Sequence, residues 1–246
     1  QLSADYANQQ AAVAGLTVPI VNEFTDEKAA KSNPRATREE MFTFILSDLQ
    51  FAAEAFADPS YKPVAATDPN LAVVYGLMAR VYLWLGGFED GLNGELPSGN
   101  DAYALAAEYA RKAIDTFGGA VMSESEWTNV TTGFNTKASS WMWTLYHSTD
   151  TIAGNLHQFA AHMCVEASYG YCQFTCPGVG SKYFNHLGKN DFRRKLIVDP
   201  DGSYETFKAY TTMSKEEYEA VAPYTFFKFR PDRKSTRLNS SHQASS

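Results

Sequence analysis

Residues 71–88 read LAVVYGLMARVYLWLGGF and form the longest apolar stretch of the chain. The segment is apolar on almost every side, which is typical of a helix that is buried on several faces. It is about as long as a membrane span, but Arg80 lies at its centre, and a central Arg costs about 2.5–3.5 kcal/mol of insertion free energy. The abrupt end at Gly86-Gly87 also favours a buried helix over a membrane span.

A second helical segment, residues 103–117, reads YALAAEYARKAIDTF and follows a loop rich in Gly, Asn and Pro. Its small residues allow a neighbouring helix to approach closely, and Glu108 and Lys112 form an i,i+4 pair on the opposite side. The two segments together predict a helical hairpin. The packing face predicted for the second helix consists of Tyr103, Ala106, Ala110, Ala113, Ile114 and Phe117.

Capping signals predict where helices begin. A hydroxyl residue followed three residues later by Glu occurs at Thr37 and at Ser214, and this capping-box pattern predicts a helix start at each. The first of these helices is expected to run to Phe56 with one apolar face. Asp68-Pro69 predicts the start of the long apolar helix, because Asp suits the N-cap and Pro suits the first helical position.

The pattern changes after residue 120. Residues 141–147, WMWTLYH, alternate as a strand does, which places Trp141 and Trp143 on one face and predicts both in the core. Residues 148–180 are typical of a loop and contain all three Cys. Residues 224–229 predict a second short strand.

The composition excludes several classes of protein. The 246 residues are 44% hydrophobic and 20% charged, which excludes wholesale disorder, and three Cys are too few for a disulfide-built miniprotein. A net charge of −7 argues against nucleic-acid binding, which needs a basic face. Aromatic residues make up 14%; most are expected in the core, but some can bind a ligand through exposed rings. Residues 233–246, RKSTRLNSSHQASS, resemble translated cloning sequence and are interpreted as a non-native disordered tail.

The predicted hairpin resembles a tetratricopeptide repeat. Residues 79–90, ARVYLWLGGFED, resemble the pattern A-R-x-Y-L-x-x-G-x-[FY], and residues 106–114, AAEYARKAI, resemble A-x-x-Y-A-x-K-A-I. The chain is therefore interpreted as mainly α, with tetratricopeptide-like helical pairs, an irregular loop-rich segment and a few short strands.

The order of segments gives a more specific resemblance. The chain runs from VPIV at 18–21 through the helix that starts REEMF at 38–42 and the hairpin to the Trp-rich segment, and then to NDFRR at 190–194 and FKFRP at 227–231. This succession, over residues 18–231, resembles the SusD/RagB family of outer-membrane glycan-binding lipoproteins. No single motif is decisive; the order and the spacing carry the resemblance.

The resemblance implies a non-catalytic protein that binds oligo- or polysaccharide on the outer face of the outer membrane of Bacteroidetes-type bacteria. It implies nutrient uptake with a TonB-dependent, SusC-like transporter as partner, no cofactor, and a lipid anchor outside these residues. On this interpretation residues 1–120 are the helical portion and residues 121–232 the loop-rich portion of one SusD-like domain. The chain is then expected to be an internal fragment of a longer protein.

Sugar binding needs ring faces for the apolar C–H patches of pyranoses, and amides or charged groups for their hydroxyls. The loop around Tyr169 and Tyr171, with Gln173 beside them, has the richest set of such residues, and Trp127 lies among polar neighbours. These rings could also pack beneath their loops, because aromatic residues are buried more often than not. We predict Tyr169, Tyr171, Gln173 and Trp127 as carbohydrate-binding residues, with no catalytic and no metal-binding residue.

Other chemistry has weaker support. Cys172 and Cys176 could pair in a disulfide, or all three thiols could be buried. A zinc site of His162 with Cys164 and these two cysteines lacks the paired C-x2-C spacing of a closed structural site.

Two other function classes stay open. One is a helical-repeat scaffold that binds only protein. The other is a helical glycoside hydrolase, which needs two carboxylates about 5–10 Å apart in a cleft. Glu124 and Glu126 are close in sequence, but a solvated pair is the expected interpretation.

Overall fold

The computed structural model describes residues 15–88, 96–132, 138–144 and 178–228. The chain divides into two compact units. The first comprises Gln1–Gly119 with Met142–Thr144, and the second comprises Ala120–Trp141 with Leu145–Ser246. Within the described residues, no helix is both long enough and apolar enough to cross a membrane.

The described part of the first unit consists of four helices. They are α1 (Glu27–Ala30), α2 (Arg38–Phe56), α3 (Leu71–Leu85) and α4 (Gly99–Phe117). Helix α3 contacts α2 on one side and α4 on another. The predicted helical hairpin is therefore present, formed by α3 and α4.

The start of α2 has the predicted capping box. The Thr37 hydroxyl accepts a hydrogen bond of 3.2 Å from the Glu40 amide, and the Glu40 carboxylate accepts one of 2.7 Å from the Thr37 amide. Helix α4 ends at Phe117, and its C-cap residue Gly118 has a φ of 64°, in the left-handed region that glycine favours.

The predicted start of α3 is wrong by two residues. Its N-cap is Asn70, whose side-chain oxygen accepts a hydrogen bond of 3.2 Å from the Val73 amide. The Asp68 carboxylate instead accepts hydrogen bonds from the amides of Val64 and Ala65, at 2.8 and 2.9 Å. These bonds lower the pKa of Asp68 and use its carboxylate to close the loop before the helix.

Two apolar clusters hold the first unit together. One contains Phe42, Leu85 and Ala102, with the Phe88 ring edge-on to Phe42 at a centroid distance of 5.9 Å. The other contains Ala53, Val74 and Met78, and Tyr82 packs against both clusters.

The composition of α3 predicts burial on several sides, and both α2 and α4 pack against it. Leu77, Leu83 and Trp84 are exposed, because α2 and α4 cover only part of its surface. The predicted packing face of α4 is partly wrong, since Ile114 is exposed; Tyr103 is 44% exposed, but its ring packs against Gly86 at the end of α3. The residues of α4 that are buried are all small: Ala102, Ala106 and Ala113.

The described part of the second unit is built from short elements. Its helices are α5 (Glu124–Trp127), α6 (Ser181–His186), α7 (Tyr204–Phe207) and α8 (Lys215–Glu219), with 3₁₀ helices at Phe192–Leu196 and Lys208–Tyr210. The Ser214 capping box is present, but α8 ends at Glu219 rather than near Ala222. The main core cluster consists of Leu196, Val198, Phe207, Tyr218 and Phe227.

The predicted strands are replaced by isolated pairings in the part of the chain that the structure describes. Thr225 pairs with Gly178, and Phe226 pairs with Ile197, each in a single antiparallel bridge. Residues 141–144 are irregular, and Trp143 is 47% exposed rather than buried in a core. Alternation of apolar residues was therefore not sufficient for a strand here, because the segment bonds to a loop instead of to a neighbouring strand.

Removal of the Thr37 cap is expected to destabilise the first unit. Thr37→Ala leaves the Glu40 amide in the first turn of α2 without its side-chain acceptor, which costs about 1 kcal/mol of unfolding free energy. Thr43→Ala is the matched control, since Thr43 is exposed inside the same helix. Urea unfolding followed by circular dichroism measures both; equal midpoints for the two variants would contradict the role of the cap.

Candidate functional site

Of the residues predicted to bind carbohydrate, only Trp127 falls within the described part of the chain. Tyr169, Tyr171 and Gln173 lie outside the described residues. The same holds for His162 and for Cys164, Cys172 and Cys176.

Trp127 ends the short helix α5, whose start is fixed by a capping box between Ser123 and Glu126. Its ring meets Phe192 edge-on at a centroid distance of 5.9 Å, and the Lys228 ammonium lies 4.5 Å from the centre of the ring. Trp127 also packs against the main core cluster of the second unit. The side chain is partly buried, and much of its ring surface is in contact with protein.

Lys228 lies over the Trp127 ring in a partly desolvated position. Burial lowers the pKa of Lys228, because removal of water disfavours the charged form. The attraction between the ammonium and the ring face favours the charged form of Lys228 and so opposes the effect of burial. Lys228, the residue after the core residue Phe227, therefore covers one side of the indole.

The carboxylates beside Trp127 both have structural partners. Glu126 closes the capping box, and hydrogen bonds from Ser123 lower its pKa. Glu124 forms an ion pair with Lys195, whose ammonium also lies 5.5 Å from the centre of the Tyr210 ring. The arrangement of these two carboxylates is therefore that of a helix cap and an ion pair, rather than of an acid and a base facing a substrate.

The segment NDFRR at 190–194 has a structural role. Asp191 caps the 3₁₀ helix and accepts hydrogen bonds from the Arg193 side chain at 2.9 and 3.0 Å. Arg194 donates to the carbonyls of Phe184 and Leu187 at the end of α6 and forms an ion pair of 3.1 Å with Asp199. These contacts fasten α6 to the core.

A tryptophan that the sequence analysis placed in the core is at the surface. The Trp143 indole N–H donates a hydrogen bond of 2.8 Å to the carbonyl of Thr67. The neighbouring Thr144 amide donates to Ala66 at 3.0 Å, and the Asn70 side chain donates to Met142 at 3.2 Å. The alternating pattern WMWTLYH predicted a buried position for Trp143, because the same alternation is typical of a half-buried strand.

Metal ligands do not cluster among the described residues: they contain no group of three or more His, Cys, Asp or Glu side chains that could hold an ion.

The helical pairs of the first unit and the irregular second unit together define a class of fold: a mainly α protein with a tetratricopeptide-like hairpin and a loop-rich part. No protein-family model matches the chain, and no curated protein sequence matches it. A solved structure is similar to it, that of a SusD-like carbohydrate binding protein from Bacteroides vulgatus, with a TM-score of 0.55 and 19% sequence identity. The similarity covers 83% of this chain and 40% of that protein.

The chain therefore has the SusD-like fold, and the sequence-based prediction of that fold is confirmed. It spans about 40% of the length of the protein to which it is similar.

Trp127 is expected to contribute to the stability of the second unit. Trp127→Ala removes its contacts with Phe192 and the core cluster, and we expect a loss of about 2 kcal/mol of unfolding free energy for this partly buried ring. Trp127→Phe keeps an aromatic ring and should lose less. Urea unfolding measures both variants, and wild-type stability of Trp127→Ala would show that the ring does not support the core.

The Asp191–Arg193 contact is expected to weaken in acid. Hydrogen bonds from Arg193 lower the pKa of Asp191 from 3.8 to about 2. A lowered pKa in the folded state means that the contact stabilises the protein above the ordinary pKa, and that this stabilisation is lost as the pH falls from 3.8 towards 2. Asp191→Asn should therefore show a smaller loss of stability than wild type over this pH range, measured by urea unfolding.

Proposed function

We propose that this protein binds oligo- or polysaccharide without catalysis. The observation that carries the proposal is the similarity of its fold to a SusD-like carbohydrate binding protein over 83% of the chain. The aromatic content of 14% supports it, because aromatic rings offer flat apolar faces to the C–H patches of sugars. The structural roles of Glu124 and Glu126 are consistent with binding rather than hydrolysis at this position.

The proposed contacts with the sugar come from Tyr169, Tyr171, Gln173 and Trp127. The two tyrosine rings stack on pyranose faces, and the Gln173 amide both donates and accepts hydrogen bonds with hydroxyls. The Trp127 ring is already packed against Phe192 and Lys228. Its proposed role is therefore to offer the sugar a partly exposed ring edge in a fixed position.

In the proposed setting, the protein acts at the outer face of the outer membrane and delivers glycan to a TonB-dependent, SusC-like transporter. Attachment to the membrane is through a lipid anchor outside these residues. These assignments follow from the resemblance to the SusD/RagB family over residues 18–231.

A protein-binding scaffold is the second candidate function. It is favoured by the exposed apolar side chains of the α3–α4 hairpin, since exposed apolar surface is typical of sites that bind other proteins. The large residues exposed on these two helices are Leu77, Leu83, Trp84, Tyr103 and Ile114.

Calorimetric titration of the full chain with amylopectin, laminarin, mixed-linkage β-glucan and galactomannan tests the proposal. We expect binding to at least one of them, and a loss of affinity of about tenfold or more in Tyr169→Ala/Tyr171→Ala, comparable to the loss of other aromatic stacking contacts. Tyr183→Ala is the control, since Tyr183 is a 51% exposed tyrosine that is not among the proposed sugar contacts. Absence of binding to all four would favour the scaffold.

A further inference from the structure

The segment before α3 is a closed loop whose polar groups are bonded to one another. The Asp68 carboxylate accepts hydrogen bonds from two amides of the loop, and the Tyr61 hydroxyl donates a hydrogen bond of 2.6 Å to the carbonyl of Pro69. The Tyr61 ring packs on Phe56, with a centroid distance of 4.7 Å. The loop is therefore held at both ends, by α2 through Phe56 and by the start of α3.

Residues 142–144 are fastened to this loop by three hydrogen bonds. The Asn70 side chain donates to the carbonyl of Met142, the Trp143 indole donates to Thr67, and the Thr144 amide donates to Ala66. Asn70 is also the N-cap of α3, so one side chain joins the helix start to the Trp143 segment. Three consecutive residues are thus bonded to one loop that lies more than 70 positions earlier in the chain.

These bonds fix the orientation of the Trp143 ring. The indole has one polar atom, Nε1, and it is bonded to Thr67 at 2.8 Å. All other atoms of the ring are carbon, and Trp143 as a residue remains 47% exposed. An exposed aromatic residue on its own needs no explanation. A ring whose polar edge is bonded to a distant loop, while its carbon surface stays in water, is held ready for a ligand, because little rotamer entropy remains to be lost on binding.

We propose that Trp143 is a stacking platform for a pyranose ring of the glycan. The proposal rests on the proposed function of carbohydrate binding, and it concerns a surface of the first unit by itself. Pyranoses suit this surface because the C–H groups of one sugar face pack against aromatic carbon, while the hydroxyls around the ring remain free to bond to water or to polar side chains.

The test uses the full chain and the same four polysaccharides, amylopectin, laminarin, mixed-linkage β-glucan and galactomannan, measured by isothermal titration calorimetry. Trp143→Ala should weaken binding of the polysaccharide recognised by wild type by about tenfold, the size of loss that follows removal of an aromatic stacking partner in other systems. Trp143→Phe retains a ring without the indole N–H and should lie between wild type and Trp143→Ala.

Trp84→Ala is the matched control. Trp84 is 48% exposed, on the surface of α3, so the same amount of exposed indole is removed from another place in the first unit. We expect its affinity to equal that of wild type. Thermal unfolding by circular dichroism identifies any variant that loses its fold. If Trp143→Ala unfolds, the glycan affinity of Trp143→Phe is compared with that of Trp84→Ala to test the platform.

The outcomes separate the two proposals. If wild type binds a polysaccharide and Trp143→Ala or Trp143→Phe binds as tightly as Trp84→Ala, the platform is refuted while carbohydrate binding stands. If wild type binds none of the four polysaccharides, the proposed function fails, and the glycan platform fails with it. A loss of polysaccharide affinity in Trp143→Ala, without such a loss in Trp84→Ala, supports both proposals.

Discussion

The close contact between α3 and α4 is the constraint on which the first unit depends. Ala102, Ala106 and Ala113 are the residues of α4 that are buried, and a methyl side chain keeps the two backbones near each other. That contact sets the rotation of α4 about its axis. It brings Tyr109 onto Tyr82 as a stacked pair with a centroid distance of 5.3 Å, and it places the Tyr103 ring against Gly86. Ile114 of the same helix is 54% exposed.

The second unit is stabilised in another way. Its described helices are only a few residues long, so a large share of their backbone groups has no partner within the helix. Side chains supply those partners: Asp191 caps the 3₁₀ helix, and Arg194 bonds to two carbonyls at the end of α6. These charged residues therefore hold irregular backbone together.

Trp127 and Trp143 show how environment separates two residues of one type. The Trp127 ring is in contact with Phe192, Lys228 and the core cluster, whereas Trp143 touches its loop through the indole N–H and leaves ring carbon exposed. Neither environment follows from the residues next to them in sequence. Trp127 lies among polar neighbours but packs against a core, and Trp143 lies in an apolar run but is exposed.

The sequence by itself determined the helical hairpin, the capping boxes at Thr37 and Ser214, and the class of fold, because these depend on local periodicity and on contacts within a few residues. It did not determine the start of α3, where Asp68 bonds to its own loop and Asn70 takes the cap. Only the tertiary structure decided that residues 141–144 bond to a loop instead of forming a strand. A strand needs a partner strand, and neither that partner nor the Thr67 carbonyl that replaces it is encoded near Trp143 in the chain.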